Sequence, residues 1–252
     1  MSFQERSKKI LTLLDEFESL SVLEISQKLG ISPATVRRDL LDLSKEGFLI
    51  RTHGGAMRSD DLPLTSFNKK QSANDINKQA IGKIAAAGVK NGDTIFMDCG
   101  STVFTMCPHL KQLNNLKIIT NSLPVVAELM NVPGISINLI GGELDAERKA
   151  IHGDMAIQHI DNYHALKAFL GIDGLSIANG LSSHSEREAT ITKAYIRNSE
   201  VVYLLCDSSK IGQDAYIKLG PLSMINYLVT DAQCSTSLKN RFTAKGVTVL
   251  QK

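Results

Sequence analysis

The chain is poor in cysteine, and what cysteine it has is unpaired in sequence. Its four cysteines form no C-x-x-C motif and have no histidine at metal-binding spacing. Isolated cysteines of this kind are more typical of buried free thiols than of zinc ligands or disulfides. The six histidines are equally scattered. His152 and His159 are seven residues apart, whereas a helical metal pair prefers about four. The sequence therefore predicts neither a metal site nor a Ser/His/Asp catalytic set.

Long apolar runs are also missing. No stretch is long enough to span a bilayer, and the first residues are rich in Gln, Glu, Arg and Lys, unlike a signal peptide. We therefore expect a cytoplasmic protein that does not engage a membrane. The 252 residues, 43% of them hydrophobic, suffice for one small and one medium domain.

Residues 32–43 are typical of a helix that enters a DNA groove. Ser32 is a strong N-cap, and Pro33 suits the first helical position, where a missing N–H costs nothing. Three apolar residues recur at helical spacing and define one buried face: Val36, Leu40 and Leu43. The remaining faces carry polar and basic residues, namely Thr35, Arg37 and Arg38.

A second helix precedes this segment and a β-ribbon follows it. Ser21 and Glu24 have the spacing of a capping box, and Gly30 ends the short helix that they begin. Residues 48–58 are typical of two short strands around a Gly-Gly turn. The pattern predicts a winged helix-turn-helix whose second helix reads DNA. We expect the DNA contacts to come from Ser32, Thr35, Arg37, Arg38, Arg51 and His53.

A strong positive charge is absent as well. The net charge is +2, and residues 1–58 contain nine Lys or Arg against eight Asp or Glu. A general electrostatic grip on DNA is therefore not indicated, which disfavours a purely structural DNA-binding protein. A few placed cations must suffice, in a homo-oligomer such as a dimer or tetramer.

Residues 76–252 alternate strand-like and helix-compatible segments. Seven β-rich runs stand out: 94–97, 117–119, 135–140, 168–170, 201–206, 227–229 and 247–250. They predict an α/β domain with a mostly parallel sheet and helices on both faces, after a winged helix-turn-helix at 1–58. Residues 59–75, acidic and interrupted by proline, are expected to be a linker.

Small and hydrogen-bonding residues follow six of these runs. The carboxyl ends of parallel strands share one edge, where open α/β sheets bind ligands. Hydroxyls, a helix start and lysines suit a phosphate, while carboxylates and amides suit sugar hydroxyls. Taken singly, each of these residues is more typical of an ordinary strand-to-helix turn. Asp173 would then only cap a turn, and Lys193 would be a solvated surface residue. Together they predict an effector site of Asp98, Gly100, Ser101, Thr102, Thr120, Asn121, Gly141, Gly142, Asp173, Gly174, Glu186, Lys193 and Lys210.

Both segments resemble the DeoR family of bacterial transcription regulators. The N-terminal likeness rests on Arg6, Ile10, Leu14, Ser32, Thr35, Val36, Arg37, Arg38, Asp39 and Leu40, and on Arg51 and His53-Gly54-Gly55-Ala56. The likeness continues through the strand-end residues. It implies a sensor domain similar in fold to ribose-5-phosphate isomerase and the CoA-transferases, which keeps a sugar-phosphate pocket without the chemistry. Cys99 departs from the family, as does Asn77 before Lys78, where Glu-Lys is common.

The sequence and the resemblance together predict a transcriptional regulator without cofactor or catalytic residues. We expect a repressor of sugar-utilisation genes that binds operator DNA and is controlled by a phosphorylated sugar. The alternative is an active sugar-phosphate isomerase with a DNA-binding appendage, whose base would be Glu186 or Asp98.

Overall fold

A computed structural model of the protein describes residues 3–17, 19–45, 48–52, 54–58 and 75–251. The chain divides into two compact units, residues 1–70 and 71–252. Two expectations lie outside the described residues: the wing residue His53, and the linker at 59–75 apart from Asp75, which begins a helix. Within the described ranges, no helix has the length and apolar character needed to cross a membrane.

The first unit is a winged helix-turn-helix. Its elements are α1 (Phe3–Phe17), β1 (Ser19–Ser21), α2 (Val22–Leu29), α3 (Pro33–Lys45), β2 (Leu49–Arg51) and β3 (Gly55–Arg58). The strands form an antiparallel sheet in the order β1-β3-β2. The predicted capping box at Ser21 and Glu24 is present, and Gly30 ends α2 with a left-handed φ of 65°. The predicted fold of this segment is confirmed.

Strand β1 was not expected, because three residues are too few to show an alternating pattern. It exists because β3 pairs with it, placing Leu20 opposite Ala56. The chains approach so closely that a Cβ on Gly55 would lie 2.1 Å from the carbonyl oxygen of Leu20. The wing therefore needs glycine at position 55.

One ion pair fastens α1 to α3. Arg6 donates from Nε to Oδ2 of Asp39 at 2.6 Å and from Nη2 to Oδ1 at 2.9 Å. Asp39 is buried, and its hydrogen bond raises the pKa of Arg6. A bidentate Arg–carboxylate pair fixes geometry as well as contributing energy. This pair fixes the orientation of α3 against α1.

The second unit is built on a seven-stranded parallel sheet in the order β15-β14-β12-β9-β4-β5-β6. Its strands are β4 (Thr94–Met97), β5 (Leu116–Thr120), β6 (Ile135–Leu139), β9 (Ala165–Leu170), β12 (Ser199–Leu205), β14 (Tyr227–Val229) and β15 (Thr248–Leu250). All pairings in this sheet are parallel. Each predicted run lies on one of these strands, so the predicted fold class is confirmed.

Helices cover both faces of this sheet. They are α4 (Asp75–Ala86), α5 (Ser101–Phe104), α6 (Cys107–Leu110), α7 (Leu123–Leu129), α8 (Asp154–Ile160), α9 (Glu186–Arg197) and α10 (Thr236–Thr243). Successive strand residues point to opposite faces, so Phe96 joins the core under α8, α9 and α10, while Ile95 and Met97 join the core under α4 to α7.

Two smaller sheets were not expected from the sequence. Strands β7 (Glu143–Asp145) and β8 (Ala150–His152) form a hairpin, and β10 (Gly174–Ser176), β11 (Gly180–Ser183) and β13 (Ile217–Gly220) form an antiparallel sheet. They are short and rich in glycine, serine or charge, so composition alone does not distinguish them from loops. In the chain, β7 follows β6 and β10 follows β9, so both small sheets begin after the carboxyl end of a strand of the large sheet.

We expect Asp39→Ala to lower the melting temperature of the first unit and to weaken DNA binding. The change removes the acceptor of two charge-assisted hydrogen bonds that hold α1 against α3. Circular dichroism melts of the full chain measure it. Asp42→Ala, which removes a carboxylate one turn further along α3, is the control. Equal melting temperatures for the two variants would contradict the role given to the Arg6–Asp39 pair.

Candidate functional site

The exposed face of α3 carries the residues predicted to read DNA. Ser32 caps the helix, since its Oγ accepts from the backbone N–H of Thr35 at 3.2 Å and lies 2.9 Å from Thr35 Oγ1. Arg37 and Arg38 are exposed, whereas Val36 is fully buried. Arg51 is exposed on β2. Cationic side chains on an accessible helix beside a wing suit major-groove docking with wing contacts to the backbone.

In the second unit, the sheet reverses its direction of growth between β4 and β9. From β4 the chain builds β5 and β6 on one side, then crosses to place β9 on the other. Open α/β sheets bind ligands at such a switch point, outside the carboxyl ends of the strands. Asp98 and Gly100 follow β4 there, and Gly171 follows β9.

Asp98 joins the two strand ends. Its Oδ2 accepts from the N–H of Gly171 at 2.9 Å, and its Oδ1 accepts from the N–H of Cys99 at 2.5 Å. A Cβ on Gly100 would lie 3.3 Å from the Cα of Gly171, so the two backbones nearly touch. Burial raises the pKa of Asp98; the bond from Gly171 opposes that shift, and the charge of Glu188 adds to it.

A lysine missed by the sequence analysis lies next to the predicted Ser101. Lys78, on α4, is buried and donates from Nζ to Ser101 Oγ at 3.2 Å. Thr105 fixes this part of α4, since its Oγ1 donates to the carbonyl of Lys78 at 2.8 Å. Thr102, the residue after Ser101, is also buried. The signal in the sequence was a lysine three residues before the buried Ile81, on the inward face of α4.

The residues that follow β5 hold neighbouring elements in place. Thr120 donates from Oγ1 to the carbonyl of Met97 at 2.6 Å. Asn121 donates from Nδ2 to the carbonyl of Ile151 at 3.0 Å and accepts from Tyr195 OH at 3.2 Å. Their side chains thus join β5 to β4, to the β7–β8 hairpin and to α9.

The structure adds a cluster of side chains that was not predicted: Arg148, His152 and Glu188, next to Cys99. Arg148 is 5% exposed, and its Nε lies 3.2 Å from Glu188 Oε1. Its Nη2 has no hydrogen-bond partner among the described residues. His152 is 1% exposed, and neither ring nitrogen has a hydrogen-bond partner there. Burial lowers the pKa of His152 and raises that of the Cys99 thiol well above its usual range.

The helix α9 presents a different glutamate to the site than the one predicted. Ser185 caps α9 by accepting from Glu188 N, which sets the helical phase. Glu186 and Lys193 are exposed, whereas Glu188 contacts Arg148. Glu186 and Lys193 lie two turns apart on an exposed face of α9, and their role in effector binding stays a prediction.

The remaining predicted residues have structural partners or lie along the same edge. Asp173 accepts from Ser183 Oγ at 3.1 Å and from His184 N at 3.0 Å. Gly174 begins β10, and Gly141 donates from its N–H to His159 Nδ1 at 3.0 Å. A Cβ on Gly142 would lie 2.6 Å from the carbonyl oxygen of His152. Lys210 is half-buried in the turn after β12.

A winged helix-turn-helix joined to an α/β unit with a polar site at its switch point defines a DNA-binding regulator with a sensor domain. The comparisons agree. Residues 6–61 match the DeoR-like helix-turn-helix domain, and residues 73–232 match the DeoR C-terminal sensor domain. The chain belongs to the DeoR family of transcriptional regulators, as its sequence predicted.

Relatives align over nearly the full length. An uncharacterised regulator, YulB of Bacillus subtilis, is 34% identical over 92% of this chain and 90% of its own. The glycerol-3-phosphate regulon repressor of Escherichia coli is 31% identical over 92% of both chains. A solved ribose 5-phosphate isomerase A from Methanocaldococcus jannaschii covers 55% of each chain at 20% identity and a TM-score of 0.40, which is too distant to bear on function.

We expect Arg38→Ala to weaken operator binding without unfolding the first unit. Arg38 is exposed and points away from the buried face of α3. If it reads a guanine, the loss is roughly 1–3 kcal/mol, about 5- to 150-fold, and is confined to particular operator positions. Titration of labelled operator variants by fluorescence anisotropy measures it. Lys9→Ala, which removes an exposed charge from α1, is the control; unchanged affinity in Arg38→Ala would exclude this placement of the helix.

Proposed function

We propose that this protein is a cytoplasmic, homo-oligomeric repressor of sugar-metabolism genes whose operator affinity is set by a phosphorylated sugar. The effector binds at the carboxyl ends of β4 and β9. This ligand class accords with relatives such as the glycerol-3-phosphate regulon repressor.

The observation that carries the proposal is a pair of buried basic side chains around the switch point. Lys78 and Arg148 are both about 5% exposed, so their cationic groups are held inside the fold near the strand ends. Lys78 is held at Ser101, and Arg148 is close enough to Cys99 for its charge to lower the pKa of that thiol. A phosphate satisfies several donors of this kind at once.

The carboxylate of Asp98 supplies the other half of recognition. It lies between the strand ends, and its two oxygens retain acceptor capacity beyond the bonds from Cys99 and Gly171. Sugar hydroxyls are donors that suit such an oxygen. An anionic group near Lys78 with hydroxyls near Asp98 therefore describes a sugar phosphate better than it describes a neutral sugar or inorganic phosphate.

Control of DNA binding follows from linkage. A ligand that prefers one arrangement of the oligomer shifts the population toward it, by as much as its affinities for the two arrangements differ. Two reading helices must match half-sites about one DNA turn apart, so small changes in their spacing alter operator affinity. Whether the sugar phosphate releases or strengthens binding is read directly from operator titrations with and without it.

The sensor is proposed to bind without catalysing. Isomerisation requires a base that reaches a carbon-bound proton and a group that polarises the neighbouring carbonyl. Asp98 accepts two backbone hydrogen bonds, and Glu188 is paired with Arg148, so both carboxylates already have structural partners. Binding needs only the phosphate and hydroxyl contacts.

We expect Ser101→Glu to abolish the response to sugar phosphates while leaving operator binding intact. The new carboxylate lies where Lys78 donates, so it takes up that donor and repels a phosphate. Operator titrations with and without a panel of pentose and hexose phosphates measure the response. Ser237→Glu, at an exposed position on α10, is the control. A response retained in Ser101→Glu would move the effector site elsewhere.

We expect the full-length protein to leave aldose and ketose phosphates unconverted. Time-resolved NMR of a mixed pool measures interconversion directly. Turnover that disappears in Asp98→Asn or Glu188→Gln would show instead that the domain is an isomerase. Thermal stabilisation by the same sugars reports binding independently, since a ligand of the native state raises the melting temperature.

A further inference from the structure

We propose that Cys99, His152 and Glu188 form a binding site for a thiophilic divalent cation of the Zn²⁺ class. The site lies at the end of β4, between the β7–β8 hairpin and α9. It does not rest on the sugar-phosphate proposal, because its three ligands are not among the residues from which that proposal is argued.

The three side chains lie close enough together to bind one metal ion. One ligand atom from each residue, Sγ, a ring nitrogen and a carboxylate oxygen, lies within 4.8 Å of the others. A zinc ion binds such atoms at about 2.0–2.3 Å, so slight side-chain rotation brings all three into range. Three protein ligands leave a fourth tetrahedral position for water or for an oxygen of a bound molecule.

His152 provides the independent sign of a ligand. It is 1% exposed, and both ring nitrogens lack a hydrogen-bond partner among the described residues. Buried polar atoms nearly always have a partner, so an imidazole held this way needs an explanation. A neutral imidazole nitrogen is a common metal ligand.

The surrounding charges also favour a cation. Asp98 is buried and directly precedes Cys99, so its carboxylate and that of Glu188 both lie near the proposed ligand atoms. Arg148 offsets one of them through its contact with Glu188 Oε1. Binding of the metal converts Cys99 to a thiolate and releases its proton to solvent. One dication then balances the two carboxylates and the thiolate together with Arg148.

Thiol and imidazole ligands decide the class of metal. Mg²⁺ and Ca²⁺ prefer oxygen ligands throughout, whereas sulfur and imidazole nitrogen suit Zn²⁺ and its neighbours in the first transition row. Co²⁺ is therefore an apt spectroscopic probe, because a Cys99–Co²⁺ bond produces a thiolate-to-metal charge-transfer band.

The test is a titration of chelator-stripped, full-length protein with Zn²⁺ by calorimetry and with Co²⁺ by absorption. We expect one equivalent of Zn²⁺ to bind and Co²⁺ to give the charge-transfer band. Cys99→Ala, His152→Leu and Glu188→Gln should each weaken Zn²⁺ binding by more than the roughly 10- to 100-fold that loss of an outer-shell partner costs. Cys99→Ala should also remove the band.

Matched controls separate this site from surface binding. Cys234→Ser alters another buried cysteine, and His164→Gln alters an exposed histidine paired with Glu200. Both should bind Zn²⁺ like the unchanged protein. Melting curves without metal verify that each variant folds. Equal Zn²⁺ affinity in all five variants, or a Co²⁺ complex without the band, would overturn the site.

The outcome is independent of the effector proposal. Sugar-phosphate binding is measured on the same stripped protein, with and without Zn²⁺. A protein that binds no Zn²⁺ at this site but still responds to sugar phosphates would refute the metal site alone. A metal site without any sugar response refutes the effector proposal alone.

Discussion

The bond between Asp98 and Gly171 is the contact on which the sensor unit depends. It ties the end of β4 to the end of β9, the two strands between which the chain reverses its order in the sheet. The backbones at Gly100 and Gly171 then approach so closely that little more than a glycine fits. Because this contact is made at the strand ends, it sets the positions from which the loops after β4 and β9 begin.

Charged side chains near this contact are an exception in a largely apolar interior. Phe96 and Phe169 on the same two strands are fully buried in the core, whereas Asp98, Arg148 and Glu188 carry charge. A buried ion pair is weak support for stability, because desolvation offsets most of the attraction. The fold fixes these charges in place, which is the arrangement that the proposed effector site requires.

The two units illustrate different sources of predictability. In the first unit, the helix ends are set by Ser21, Gly30 and Ser32. Each forms its capping hydrogen bonds with groups only a few residues away, so capping rules located the helices. The Arg6–Asp39 pair spans 33 residues and joins two helices, and no local rule reveals it. The family resemblance included both residues without saying that they touch.

In the second unit the strands were predictable, because β-rich apolar runs buried on both faces have few alternatives. The site was predictable in part. Asp98, Gly100 and Ser101 follow a strand directly, and strand ends in a parallel sheet converge by geometry. Four residues were missed: Lys78, Arg148, His152 and Glu188. They lie on α4, in the turn and second strand of the β7–β8 hairpin, and on α9, which are far apart in the chain. Residue spacing shows which residues share a helix face but not whether that face is buried, so it singled out Glu186 and gave no sign of Glu188.

The sequence by itself determined the winged helix-turn-helix, the seven strands and the family, because these depend on local propensity, periodic burial and contiguous motifs. Tertiary structure alone decided which charges meet. The β7–β8 hairpin brings Arg148 and His152 to the end of β4, and the cap at Ser185 turns Glu188 toward them. Contacts of this kind depend on the packing of distant elements, and that packing is fixed by the whole core rather than by the residues that meet.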